Sequence, residues 1–281
     1  MRTSPRTWLI TGGSRGIGRA CAAACLDAGD RVVTFSRSTA PLDDLLDRHG
    51  ERLHPMTVDV TDRAAVFAAV DAASHQFGRL DVVVNNAGTL SAGMVEEFTE
   101  AEARSAMETN FFGALWVSQS AAAILRGQRG GHLMQMSSIG ALAGHPTTGL
   151  YSAGKFALEG MSEALAAELA PFGVRLTMVE PGGYWTDLYS AMHTTTARPQ
   201  YADLRAQLEQ QFAEGSIDSD PRLAAAAVRT LADSDEPPLR LLLGSMVYDL
   251  ALQVSQQRMQ TWSGWEQVSR AAEHAIAAPP V

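Results

Sequence analysis

The sequence predicts an α/β fold: one domain built on a doubly wound, mostly parallel sheet of seven strands, with a helical extension at the C-terminal end. Three observations lead there. The apolar run Trp8-Leu9-Ile10 meets a glycine-rich turn, Thr11-Gly12-Gly13-Ser14-Arg15-Gly16-Ile17-Gly18, and an alanine-rich helical pattern follows. Short β-branched runs then alternate with helical patterns, as in βαβ units. At 281 residues, 46% hydrophobic and 19% charged, the chain is long enough to bury one large core.

Taken in order, the first helix ends near Ala28-Gly29-Asp30, and residues 31–36 form a buried second strand followed by Arg37. A short helix over 42–49 leads to a third strand over 53–60 ending in Asp59-Val60, with Thr61-Asp62 capping a helix over 64–77. The fourth strand, 81–84, stops at Asn85-Asn86-Ala87-Gly88. An acid and paired asparagines at strand ends lie along the crevice where open α/β sheets bind ligands. One long helix is expected over 100–125. It contains Asn110, which is unfavourable in mid-helix and needs either a solvent-facing position or a task. Residues 132–136 form a fifth strand closing on Ser137-Ser138. A loop over 139–149 then enters a helix near Tyr151. A sixth strand precedes Glu180-Pro181-Gly182, and residues 187–215 are expected to cover the substrate. Asp220-Pro221 starts another helix, 237–244 is the last strand, and a helical tail follows from 245. Its Trp262 and Trp265 suit a core or interface.

Composition removes several classes. With 22 Lys+Arg against 31 Asp+Glu the formal charge is −9, and no basic block interrupts it, so nucleic acid and anionic membrane are not expected partners. The apolar run after Arg2 and Arg6 is too short for a signal peptide or a membrane span, and a cytoplasmic protein is expected. Cys21 and Cys25 lie one helical turn apart and suit core packing. The seven histidines show no HxH or HxxxH spacing, so no metal site is expected.

A glycine turn delivered onto a helix N-terminus aims backbone N–H groups and the helix dipole at one place, which suits a pyrophosphate. Its spacing, Gly12-x-x-x-Gly16-x-Gly18, has a longer first interval than GxGxxG. Arg19-Ala20 follows where a P-loop needs Lys-Ser/Thr. After the second strand stands Ser36-Arg37-Ser38, with no carboxylate to take ribose hydroxyls. Arg37, with Arg15 opposite, would pair with a 2′-phosphate, which favours NADP(H) over NAD(H). Tyr151 and Lys155 stand at i and i+4 on one helix face, where the ammonium is expected to draw the phenol pKa down toward neutrality. Ser138 could hydrogen-bond a carbonyl oxygen from the other side.

The glycine turn, Asn86-Ala87-Gly88, Asn110, Ser138, Tyr151 and Lys155, in this order and spacing, resemble the short-chain dehydrogenase/reductase family over roughly residues 7–190. The resemblance implies a Rossmann fold and hydride transfer between NADP(H) and a carbonyl or secondary alcohol. It places Thr11, Gly12, Gly16 and Gly18 at the pyrophosphate, with Ser14, Arg15 and Ile17 of the same turn also at the cofactor. Ser36 and Arg37 would meet the 2′-phosphate, Asp59 and Val60 the adenine, and Asn86, Ala87 and Gly88 the adenosine ribose. Tyr151 would be the general acid in reduction, and Lys155 would hold the nicotinamide ribose and lower the Tyr151 pKa. Ser138 would fix the carbonyl oxygen, and Asn110 would help keep a water that relays protons to Lys155. Pro181, Gly182 and Thr186 match the segment at the carboxamide, with Tyr184 where an aliphatic residue is usual. The tail weakly resembles the subgroup of 17β-hydroxysteroid and retinol dehydrogenases. A hydrophobic ketone or aldehyde as substrate and a homodimer or homotetramer are the expectations. The competing expectation, from another class, is a catalytically silent dinucleotide sensor.

Overall fold

A computed structural model describes residues 4–215 and 218–274. Residues 1–3, 216–217 and 275–281, which include Arg2 and the end of the expected tail, lie outside the described residues. Strands β1 (Thr7–Thr11), β2 (Arg31–Ser36), β3 (Leu53–Thr57) and β4 (Val82–Asn85) alternate with helices α1 (Gly16–Asp27), α2 (Asp43–His49) and α3 (Arg63–Gln76). The two-residue strand β5 (Ser91–Ala92) follows. Helix α4 (Glu100–Met107) then passes through a π turn, Glu108–Gly113, into α5 (Ala114–Gln128). Next come β6 (Gly131–Met136), α6 (Gly149–Leu169), β7 (Val174–Pro181), β8 (His193–Thr194), α7 (Ala202–Gly215) and α8 (Pro221–Asp233). The described chain closes with β9 (Arg240–Leu243), α9 (Ser245–Gly264) and α10 (Glu266–Ala271).

The main sheet has the order β3-β2-β1-β4-β6-β7-β9, and every pair in it is parallel. Period-two alternation splits β1 between two cores. Trp8 and Ile10 pack with Cys21, Cys25 and Leu26 of α1 and Val228 and Leu231 of α8, whereas Leu9 packs with Val66 and Val70 of α3 and Val117 and Ala121 of α5. Helices therefore cover both faces, and the strand order reverses at β1 and β4, where a crevice opens at the carboxyl ends. Burial raises the thiol pKa values of Cys21 and Cys25 and leaves both cysteines as packing residues. Among the described residues no helix is long and apolar enough to cross a membrane.

The structure departs from the sequence reading at three places and adds detail at segment 187–215. β3 ends at Thr57, so Asp59 and Val60 stand beyond the strand. The single helix expected over 100–125 is broken by the π turn that carries Asn110. Segment 187–215 contains α7, and its start is tied to the body by a parallel ladder pairing Ser91 with His193 and Ala92 with Thr194. Trp262 and Trp265 lie in no core of this chain, being 65% and 63% exposed.

Candidate active site

The crevice is a cleft of about 570 Å³ running from the ends of β2 and β3, past the glycine turn, to the ends of β6 and β7. Its middle is built by close approach. Gly12 and Gly16 have φ of +63° and +53°. A Cβ on Gly18 would lie 2.3 Å from the Gly12 oxygen and 2.5 Å from Asn86 Nδ2. Helix α1 begins with no side-chain cap and no acid in its first turn, so its N-terminal N–H groups and dipole are presented where Gly16 and Ile17 line the cleft. A cradle of this kind fits a dinucleotide pyrophosphate.

Ser14, Arg15, Ser36, Arg37, Asp59, Val60, Asn86, Ala87, Gly88, Pro181, Gly182 and Thr186 line the cleft with Ser138, Tyr151 and Lys155. Thr11, Gly18 and Asn110 stand behind its wall. The Thr11 hydroxyl accepts from the Asn86 and Ala87 N–H groups at 2.9 and 3.0 Å, and Asn86 Nδ2 donates to the Thr11 oxygen at 2.9 Å and more weakly to Gly12. The ends of β1 and β4 are thereby locked together. Asn85, grouped with Asn86 by sequence, points away from the crevice and donates to Ala114 O and Ser118 Oγ.

At the β2 and β3 end, Asp59 accepts from the Thr61 N–H and hydroxyl, and these bonds together with the Arg37 charge hold its carboxyl below the ordinary range. Arg15 and Arg37 both line this stretch, and among the described residues neither is held in a salt bridge. The Ser36 hydroxyl is spent on the Ser38 carbonyl at 2.9 Å.

At the β6 and β7 end, Ser138 follows β6, and its hydroxyl accepts from Gly140 N–H at 3.1 Å and pulls down on the Tyr151 phenol pKa. Lys155, one turn along α6, is 5% exposed, donates to the Met136 carbonyl at 2.8 Å and lies 5.8 Å from the Tyr151 ring centre. The protein's own groups do not lower the Tyr151 pKa as expected. Burial raises it against the pull of Ser138, while the Lys155 ammonium donates to the Met136 carbonyl. Burial also lowers the Lys155 pKa to about 8, with Glu159 acting the other way. The site thus holds a protonated phenol beside an easily discharged ammonium.

Asn110 answers the question its position posed. It is 1% exposed in the π turn, its Oδ1 accepts from Thr89 N–H at 3.0 Å, and its Nδ2 donates to Thr89 O at 2.9 Å. The amide therefore fixes the loop after Gly88 instead of facing the cleft, and Gly154 of α6 packs against its Cβ. Tyr184 fills a core position as an aliphatic residue would, joining Val179 and Leu243 at 8% exposure while edging the cleft.

Sequence reasoning missed the groups beneath the site: Ser137, Glu159, Glu180 and Arg240. It also passed over a signal that was present. Lys155 is the single lysine in 281 residues, every other long cationic side chain being arginine. Arginine serves surface charge, but it cannot replace a compact ammonium that sheds its proton when buried.

A family model described as short chain dehydrogenase matches residues 6–197. The oxidoreductase BOA17 of Botryotinia fuckeliana is 37% identical over 271 residues, which cover 95% of this chain and 99% of that protein. The 3-ketodihydrosphingosine reductase of Bacteroides thetaiotaomicron is 34% identical, covering 86% and 89%. A crystal structure of a short-chain dehydrogenase from Streptomyces avermitilis superimposes with a TM-score of 0.91 at 36% identity, covering 97% of this chain and all of that one. Solved structures at 25–26% identity hold NADP, NADPH or 5-hydroxy-NADP, and one at 22% holds NAD.

Proposed function

The chain belongs to the short-chain dehydrogenase/reductase family, and we propose that it transfers hydride between NADP(H) and a carbonyl or secondary alcohol, with a hydrophobic ketone or aldehyde as the carbonyl partner. The observation that carries this reading is the convergence of Ser138, Tyr151 and Lys155 on one end of a cleft whose middle is an uncapped helix N-terminus. The nicotinamide nucleotide supplies the hydride, which is chemistry that no side chain offers. Gly12, Gly16 and the α1 N-terminus would hold its pyrophosphate, Arg15 and Arg37 its 2′-phosphate, and Pro181, Gly182 and Thr186 its carboxamide.

The side chains handle the proton. In reduction the Ser138 hydroxyl orients the carbonyl oxygen and the Tyr151 phenol, held protonated by burial, donates to it. The Lys155 ammonium stabilises the phenolate left behind, and in oxidation the transfer runs backward. Met136, Tyr184, Leu188 and Tyr189 line the cleft at this end, which supports an apolar substrate. Segment 187–215 acts as a lid whose closure excludes water. The exposed Trp262 and Trp265 support assembly into a homodimer or homotetramer. Nothing in the comparisons favours the silent dinucleotide sensor.

Tyr151→Phe tests the reading. Carbonyl reduction with NADPH is expected to fall by about 10²–10⁴-fold while NADPH affinity, followed by nicotinamide fluorescence, stays within about twofold. Turnover near the wild-type rate would remove Tyr151 from its role.

A further inference from the structure

Tyr151, Lys155 and Glu159 are spaced by four residues each along α6 and share one face, on which Lys155 and Glu159 are buried. Glu159 is 7% exposed, although no expectation from the sequence gave it a task. Its Oε1 accepts from the Ser137 hydroxyl at 2.6 Å, and Ser137 is the residue between Met136, whose carbonyl accepts from Lys155, and Ser138. Its Oε2 accepts from Arg240 Nε at 3.1 Å, and Arg240 Nη2 reaches Glu163 at 2.5 Å. Glu180, fully buried, lies 3.4 Å from the same Arg240 Nε, and among the described residues neither of its oxygens has a hydrogen-bond partner. One guanidinium thus faces three carboxyl groups directly behind the catalytic pair.

Charges in such a place are costly unless they are needed or compensated. A buried carboxylate one turn from a buried ammonium opposes the tendency of burial to discharge it. We infer that Glu159 is a positioning residue for the reaction: its carboxylate fixes the loop bearing Ser138 through Ser137 and is the buried counter-charge of Lys155, with Arg240 holding it in place. This rests on the reading of Tyr151 and Lys155 given above. The titratable groups around the Lys155 and Glu159 pair are Tyr151 beside Lys155 on α6, Tyr189 of segment 187–215 facing Tyr151, and Glu163 on α6, Glu180 on β7 and Arg240 on β9 grouped with Glu159. Among them Glu159 is the charge that acts on Lys155, raising its pKa against burial. Arg240 draws Glu159 onto the β9 side. Glu180, next to Glu159, has its carboxyl pushed up to about 7 by burial and by that neighbour, and so gives way to it.

The single lysine makes a direct test possible without turnover. Protein labelled with ¹³C,¹⁵N-lysine gives one side-chain signal, and its pH titration reports Lys155 alone. The wild-type midpoint is expected near 8. Glu159→Gln keeps one acceptor oxygen for Ser137 and removes the charge together with the acceptor that faces Arg240, so the midpoint should drop by about one pH unit or more. The alkaline limb of kcat for carbonyl reduction should move down with it while KM changes little, a coupling that a purely structural role would not produce. If Glu159→Gln does not fold, the apolar pair Glu159→Leu with Arg240→Leu replaces it, and the midpoint is again expected to drop, because the pair removes the carboxylate one turn from Lys155 together with its guanidinium partner. An unmoved lysine titration in a folded variant overturns the inference. A wild-type protein that titrates as expected but reduces no carbonyl compound overturns the functional reading and leaves the counter-charge standing.

Discussion

Glu97 and Arg205 form an ion pair at the root of segment 187–215, and the Glu97 side chain has no solvent exposure. Its carboxylate also accepts from Met94 N–H at 2.7 Å, the Thr195 hydroxyl at 2.9 Å and Arg198 N–H at 2.8 Å. Burial works to raise its pKa, but the Arg198 and Met94 N–H groups, Thr195 and Arg205 together hold it at about 2. A carboxyl with a folded pKa below its unfolded 4.5 contributes stability that is complete above 4.5 and lost only as pH falls toward 2, so this latch is constant near neutrality. Glu97→Gln leaves Arg205 without its counter-charge. Amide exchange over residues 194–205 at pH 7 should accelerate by about tenfold while the central strands stay protected. Equal protection in the variant would mean that the segment is anchored elsewhere.

Gly18 and Gly127 make a matched pair. A methyl group on Gly18 collides with backbone at 2.3 Å, whereas one on Gly127, inside α5, meets nothing within 4 Å. Gly18→Ala should cost about 1–3 kcal/mol in chemical denaturation and weaken dinucleotide binding at least about tenfold. Gly127→Ala should gain about 0.5–1 kcal/mol and leave binding alone. Similar behaviour of the two variants would show that the turn has room to relax.

Arg37 tests the 2′-phosphate reading. Arg37→Asp removes a cation and adds repulsion beside Asp59, so the ratio of kcat/KM for NADPH over NADH should fall by about a hundredfold. An unchanged ratio would assign recognition of that phosphate to other groups.

Glu180 gives a pH dependence of opposite sign to Glu97. Its folded pKa of about 7 lies above the ordinary 4.5, so its contribution is most favourable below 4.5 and is lost as pH rises to about 7. Glu180→Gln removes that loss. Relative to wild type the variant should gain about 1–3 kcal/mol between pH 4.5 and pH 8, allowing for the half-exposed Arg240 beside it, with the difference flat above pH 8. Parallel denaturation curves at the two pH values would place a charged Glu180 in the folded protein at low pH as well.

Legibility in the sequence tracked the range of the interaction. The apolar runs of β1, β2, β4 and β6 and the spacing of Tyr151 and Lys155 are local patterns, and they sit in the fold where their periodicity put them. The π turn was hidden because residues 100–125 keep helical spacing through it, although the awkward Asn110 marked the spot. The β5 and β8 ladder is two residues long and unites segments about a hundred residues apart, so it leaves no alternation to read. Arg240 meets Glu159 across 81 positions, and neither residue departs from an ordinary surface pattern in its own helix or strand. The expected fall of the Tyr151 pKa failed for a related reason: spacing gave the neighbour, but not the burial that raises the phenol pKa.

With Lys155 as the single lysine, a protease specific for lysine has one bond to cut in the whole chain, and that bond lies inside α6 beside the buried pair. The folded protein presents nothing to such an enzyme, and each unfolding event exposes one cut that splits the chain into a 155-residue and a 126-residue piece. The appearance of those two bands is therefore a clock for opening of α6, set by the same residue that is proposed to serve the chemistry.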